Sequence, residues 1–333
     1  MSPKAEGKMK PNKLINWQLP MQRVLYALVP ICIASVYFFG WRALLILLVA
    51  NAAGFFSEAA FTRKEGQPVT SAVFVTSTLF ALSLPPLLPL WMAGVGIVFG
   101  IVFGKMVFGG FGKNVFNPAL TGRAFIYISF GDYMTARCWT HPIDGWLGGL
   151  TSYANTATDA ITQATPSTWL KPLNLITGNI PLERFSWPKL ILGNTAGCIG
   201  GTSALLVVLG GLYLIRKKTA NHRLVVSMLL GFIGMQSALH LAGISTASHP
   251  LKAVLAGSVL FGAFFYATDP VSAPKTNEAR WLYGATIGIL SSLIQVFTVW
   301  PEGTMFAILL GNLFAPITDY AIKSLKQKAT PTS

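Results

Sequence analysis

The chain has 333 residues, of which 53% are hydrophobic and only 11% charged, and its mean hydropathy is +0.56. A soluble globular domain carries about 25% charged residues, so composition excludes that class and points to about ten membrane spans of about 20 residues each. The net charge of +14 does not signal nucleic-acid binding: Lys and Arg sit between apolar runs with no interleaved aromatic stripe, and they read as topology and lipid contact.

The chain opens with "MSPKAEGKMKPNKLINWQLPMQR", a polar, basic segment spanning 1–23. No cleavage site follows the first apolar run, so this segment reads as a cytoplasmic extension and not as a secretory signal. Apolar runs then fall at about 24–40, 41–61, 68–84 and 88–108, followed by a shorter run near 116–131 that contains Pro118 and Arg123. These make a first bundle half over 24–131. After a long loop over 132–187 come runs at about 188–215, 224–243, 251–268, 281–299 and 303–322, a second half over 188–322. A basic tail over 323–333 closes the chain. Backbone as irregular as 116–131 is tolerated at membrane depth only where protein or a cavity surrounds it.

The positive residues orient this count. Lys4, Lys8, Lys10, Lys13 and Arg23 place the N-terminus inside, as do Arg63 and Lys64 after two spans, and Lys105, Lys113 and Arg123 after four. If the short run crosses, loop 132–187 lies outside and "RKKTANHR" (216–223) returns inside. Lys275, Arg280 and then Lys323, Lys326 and Lys328 follow the same alternation. The expectation is an all-α polytopic membrane protein of about ten spans in a bacterial cytoplasmic membrane, with both termini cytoplasmic. Ten spans also divide into two five-span inverted repeats.

Loop 132–187 is far longer than an ordinary connection, and such loops are functional or disordered. Its Trp139, Trp146, Tyr153, Trp169 and Phe185 argue for a structured loop lying on the membrane surface. At its middle stands "DAITQATP" (159–166). Thr165 has a small neighbour in Ala164 and a following Pro166 that restricts the backbone, which suits a hydroxyl offered to a modifying transferase. The plainer reading makes Thr165 or Ser167 of "TPST" a helix cap.

Elsewhere, "GKNVFNPALTGRAF" sets Asn114, Asn117 and Arg123 beside the doubtful span, as intramembrane functional groups or as helix capping with Arg123 snorkelling to headgroups. "ATDPVSAPKTNEAR" sets Thr268, Asp269 and Ser272 at a span's inner end, either a plain helix stop or the lining of a cation route or flavin site. "GNTAGCIGG" (193–201) lacks a P-loop lysine and reads as close helix packing, with Cys198 part of it. Cys32, Cys138 and Cys198 are far apart, so no iron–sulfur or zinc cluster assembles within the chain. His141, His222, His240 and His249 show no i,i+4 or HxH pairing. No catalytic residue and no metal ligand is assigned.

Four blocks carry a resemblance: "GGFGKNVFNPALTGRAF" (109–125), "GNTAGCIGGTSALLVVLGGLYLI" (193–215), "FYATDPVSAPKTNEARWLYGA" (265–285) and "PEGTMFAILLGNLFAPITDY" (301–320). With "DAITQATP" they are similar to the RnfD/NqrB family of membrane redox-pump subunits. The octet resembles that family's flavinylation motif Asp-x-x-Ser/Thr-x-Ala-Thr. The resemblance implies FMN joined to Thr165 through a phosphoester, with Asp159, Thr162 and Ala164 as recognition residues for a flavin transferase. Gln163 stands where the family usually has Gly.

It further implies a noncovalent riboflavin without an assigned place, with Asn114, Asn117, Arg123 and Asp269 as candidate cofactor-binding residues. The implied function is electron carriage inside a multi-subunit, ion-translocating oxidoreductase, complete only with its partner subunits. Within the family the RnfD branch is favoured, because the first span is reached by about residue 24 without a long N-terminal extension. The NqrB branch is the alternative. A ten-helix channel or transporter without redox activity, and a purely structural subunit, are the rivals from other classes.

Overall fold

In the computed structural model, which describes residues 14–143, 145–154, 186–256, 258–298 and 303–329, helix α1 (Leu19–Phe39) begins several residues before the first apolar run. Pro20 in its first turn is preset for the helical φ, and the approach is pinned by a two-residue parallel pairing of β1 (Ile15–Asn16) with β2 (Val69–Thr70). The Gln18 backbone N–H also donates to Ser71 Oγ at 2.9 Å. Apart from this clasp the described residues form helices and loops, as composition demands.

Helix α2 (Trp41–Thr62) returns directly after Gly40. The next spans are shorter than a bilayer requires. They comprise α3 (Ala72–Leu82), α4 (Leu90–Ile101, prolonged by a π-helical turn over Val102–Met106) and α5 (Pro118–Ser129). The second half contains α6 (Trp187–Leu192), an irregular stretch, and α7 (Ala204–Arg216). Then come α8 (His222–Leu241), α9 (Pro250–Leu255), α10 (Val259–Phe261) with a π-helical turn over Gly262–Tyr266, α11 (Asn277–Phe297) and α12 (Gly303–Ala329). Among the described residues, four helices are long and apolar enough to cross a membrane: α1, α2, α8 and α12. The fold is that of an all-α polytopic membrane protein.

The shortened spans leave backbone groups that lipid cannot satisfy, and protein satisfies them. Past the end of α3, Leu82 O accepts from Gly200 N at 2.7 Å and Leu84 O from Ile199 N at 3.0 Å. Two extended stretches, one from each half, thus cross and bond inside the bundle. Arg42 Nη2 donates to Leu87 O and Leu88 O at 3.2 and 3.1 Å, closing the same stretch from the side. Gly200 is required there: a Cβ would lie 2.6 Å from Leu82 Cβ. The small residues of 193–203 therefore serve close approach.

Helix pairing repeats between the halves. In the first, α2 packs on α4 and α4 on α5; in the second, α8 packs on α11 and α11 on α12. The halves meet through their leading helices, α1 on α7, and their last, α5 on α12. Repeat architectures of this kind place their sites where the halves meet.

One end of the bundle is basic, carrying exposed Arg63, Lys64, Lys113, Lys217 and Lys218. At the opposite end, the start of the long loop packs on the α1–α2 corner. Ile143 N donates to Phe38 O at 2.7 Å, Arg42 N to Tyr153 O at 2.8 Å, and Trp41 Nε1 to Leu150 O at 2.8 Å. Trp139 is buried, its Nε1 donating to Met134 O at 2.8 Å.

Two positive residues that served the orientation argument are not loop charges. Lys105 and Arg123 are each 2% exposed inside the bundle, so of that trio Lys113 alone reports on sidedness. Arg123 does not snorkel, because α5 is held between α4 and α12 and faces away from any headgroup layer.

Candidate functional site

The site begins with two charges in different spans. Glu58, near the end of α2, and Lys105, in the π-helical turn after α4, form an ion pair of 2.6 Å with exposures of 1% and 2%. Burying two unpaired charges in a bilayer is prohibitive, so each needs the other and further donors or acceptors to use its remaining capacity. Thr70 supplies them. Its backbone N–H and hydroxyl donate to Glu58 Oε1 at 3.0 and 2.6 Å, and its hydroxyl also lies 2.9 Å from Lys105 Nζ. The Phe111 ring, 5.6 Å from the ammonium, covers another side. β2 presents Thr70 at this depth because the β1 clasp holds it there.

Lys105 also lines a cavity of about 70 Å³ at the basic end. Asn114, Asn117, Thr268 and Asp269 line it too, with Thr76 of α3 and Thr219 after α7. The structure thus brings three of the four described candidates from sequence together, although 152 residues separate Asn117 from Asp269. Arg123 does not line it. It is buried one turn further along α5, within electrostatic reach of Tyr127, Cys198 and Tyr266.

Each cavity residue also has a local task. Asn117 is the N-cap of α5, its Oδ1 accepting from Ala119 N at 3.0 Å and Leu120 N at 3.4 Å. Asn114 Nδ2 donates to Phe116 O at 3.0 Å. Asp269 caps the turn after the second π-helical segment, accepting from Val271 N at 3.1 Å and Ser272 Oγ at 3.0 Å. The helix-stop reading and the cavity-lining reading of Asp269 therefore both hold. The cavity floor is closed by Tyr266, whose hydroxyl donates to Leu79 O at 2.8 Å.

Chemically this is a polar chamber with a carboxylate at its rim, hydroxyl and amide oxygens on its walls and a fixed ion pair behind. Such groups suit water and small cations. An engineered cavity of about 150 Å³ just takes benzene, so a tricyclic flavin does not fit this chamber as it stands. Asp159, Thr162, Ala164 and Thr165 lie outside the described residues, as does Glu302.

Sequence reasoning passed over Glu58 and misassigned Lys105. The signal was present: one acid and one base, each inside a different apolar run, are intramembrane charges and candidates by default. Their pairing spans 47 positions, and no local pattern discloses it.

A bundle of two similarly packed halves, with short, broken spans around a polar chamber, defines a polytopic membrane protein of the transporter or membrane-pump class. Residues 12–328 match the NQR2, RnfD, RnfE family, and the chain belongs to that family. It is 41% identical over 276 residues to the NqrB subunit of the Na(+)-translocating NADH-quinone reductase of Ectopseudomonas mendocina (strain ymp), covering 81% of this chain and 64% of the relative. The subunit of the same name in Pseudomonas aeruginosa (strain LESB58) is 38% identical over 284 residues, 83% of this chain and 66% of the relative. That of Neisseria meningitidis serogroup A is 38% identical over 276 residues, with 81% and 64% covered. The chain thus spans just under two thirds of the length of these relatives. All three bear the NqrB name, so they support the NqrB branch over the RnfD branch that sequence analysis favoured.

Proposed function

We propose that this chain is the flavin-carrying membrane subunit of an ion-translocating oxidoreductase in a bacterial inner membrane, of the kind represented by the NqrB subunit of the Na(+)-translocating NADH-quinone reductase. The Rnf-type ferredoxin:NAD⁺ complex is the second reading, favoured by the "GNTAGCIGGTSALL" block. The observation that carries the ion-handling part is the chamber where Asp269, Asn114 and Asn117 meet beside the Glu58–Lys105 pair. The redox part rests on the named relatives.

In this reading Thr165 holds FMN through a phosphoester made by a flavin transferase, and Asp159, Thr162 and Ala164 guide that enzyme. The flavin supplies electron transfer in one- or two-electron steps when bound. A noncovalent riboflavin belongs to the same reading without a place among the described residues. Loop 132–187 faces outside and both termini face the cytoplasm. The chain's own residues position, exclude and conduct: the ion pair fixes α2 against α4, Asp269 offers a carboxylate to an arriving cation, and the Tyr266–Leu79 contact stops free passage. Other membrane subunits complete the reaction.

The test is flavin fluorescence of the denatured band for wild type and Thr165→Val, each co-expressed with a flavin transferase. A bright wild-type band and a dark variant are expected. A bright variant would move the flavin elsewhere, and two dark bands beside a labelled control substrate would remove the electron-carrier reading.

A further inference from the structure

The chain has four histidines, and two of them meet at the end of the bundle opposite the basic end. His240 lies in the last turn of α8 and His249 immediately precedes α9. Their ring centroids are 6.1 Å apart with 67° between the planes, and both are exposed. Nine positions apart, they are juxtaposed by a built turn. Gly243 takes φ +73 past the helix end, Ile244 N donates to Leu239 O at 3.2 Å, and Ala247 N donates to Ile244 O at 2.9 Å. Gln236, itself bonded by Ser292 at 2.8 Å, donates to Ser248 O at 3.1 Å and anchors the far side of the turn.

From this geometry we propose that His240 and His249 form a binding site for a divalent first-row transition-metal ion. His240 Nδ1 lies 2.9 Å from Ala247 O. A carbonyl only accepts, so Nδ1 carries the proton and Nε2 keeps a bare lone pair. A backbone carbonyl on the distal nitrogen is the arrangement that orients metal-ligating imidazoles and raises their basicity. Spacing agrees as well: with metal–nitrogen bonds of about 2.0–2.1 Å, two imidazoles on one metal have ring centres about 5–6.5 Å apart, from a tetrahedral to a linear angle. Trp187 packs edge-on to His249 at 6.1 Å and restrains that ring.

Two imidazoles and no carboxylate select Cu²⁺, Ni²⁺ or Zn²⁺ over Na⁺, Mg²⁺ or Ca²⁺, which take oxygen ligands. Water completes the coordination. Lys252, whose ammonium lies over the Trp187 ring at 5.7 Å, adds positive charge nearby and keeps the affinity modest. The bound ion ties the end of α8 to the start of α9. This assignment does not depend on the flavin reading.

The experiment uses the full chain, purified in detergent without a polyhistidine tag and titrated with Cu²⁺ under electron paramagnetic resonance. One ion with two nitrogen ligands is expected, displaced by excess Zn²⁺. His240→Ala and His249→Ala should each weaken binding by about tenfold or more, while His222→Ala, at the basic end, leaves it unchanged. A wild-type spectrum with a single nitrogen ligand, or a single variant that binds like wild type, overturns the site. A second readout needs no variant: Zn²⁺ should protect both His240 and His249, but not His222, from diethyl pyrocarbonate. Equal modification with and without Zn²⁺ has the same negative meaning.

Discussion

Replacing Lys105 by Met leaves Glu58, 1% exposed, with Thr70 as donor but without its cation. Removing one member of a buried ion pair costs about 3–5 kcal/mol, because the remaining charge stays desolvated. At about 2 °C per kcal/mol, the low end for a chain of this size, the melting temperature should fall by about 6–10 °C. The partner change Glu58→Gln keeps the shape and the Thr70 contacts but strands the ammonium. The double variant Lys105→Met with Glu58→Gln removes both charges and should recover most of the loss, since neutral replacement of a buried pair is often neutral or stabilising. Fluorescence-detected size exclusion of heated, detergent-solubilised protein measures all four forms. A Lys105→Met loss under about 1 °C, or a double variant no better than the singles, would refute the claim that the pair is sealed from water and mutually dependent.

Other expectations rest on separate contacts. Asn117→Ala removes the α5 cap and should cost about 0.5–2 kcal/mol, whereas Asn117→Asp retains most of the stability; the same thermal assay reads both. Asp319 of α12 caps the start of α11, accepting from Lys275 N at 2.7 Å, Thr276 N at 2.9 Å and Thr276 Oγ1 at 2.7 Å. Asp319→Ala should therefore raise amide hydrogen exchange at residues 275–280, and unchanged exchange would show that the cap does not hold α11. Gly200→Val places a branched side chain where even a Cβ meets Leu82 at 2.6 Å. It should cost about 1–3 kcal/mol, relieved in part by Leu82→Ala. All three native cysteines are buried or half-buried, so labelling of introduced ones is clean. Trp146→Cys, at a position 93% exposed, should react with an impermeant maleimide in intact cells and Lys218→Cys should not; the reverse pattern would invert the proposed orientation.

What the sequence disclosed and what it hid separate along physical lines. The apolar elements, and the two halves either side of loop 132–187, followed from hydropathy, because transfer free energy is local and additive along the chain. Where each span breaks did not follow. Run 188–215 resolves into α6, an irregular stretch and α7 because Leu82 and Leu84 of the other half accept its backbone donors, and hydropathy is blind to backbone pairing. Asn117 and Asp269 were legible as candidates because polar groups beside apolar runs are costly. Their convergence with Lys105 on one chamber depends on how the halves dock. Lys105 misled because a charge counted by its neighbours in sequence looks like a loop residue, while its true neighbour is Glu58 on another helix.

The floor of the chamber has an electrical consequence. Below Leu79 and the Tyr266 hydroxyl lie Phe80, Leu82, Leu84 and Leu88, all fully enclosed. A wetted chamber above this plug conducts far better than hydrocarbon, so a transmembrane voltage drops mostly across the plug and hardly at all across the chamber. A cation reaching Asp269 from the basic end then crosses little of the field. The step past Tyr266 carries nearly the whole electrical work, about 2.3 kcal/mol per unit charge for each 100 mV. Voltage dependence in this protein belongs to that short stretch of leucines.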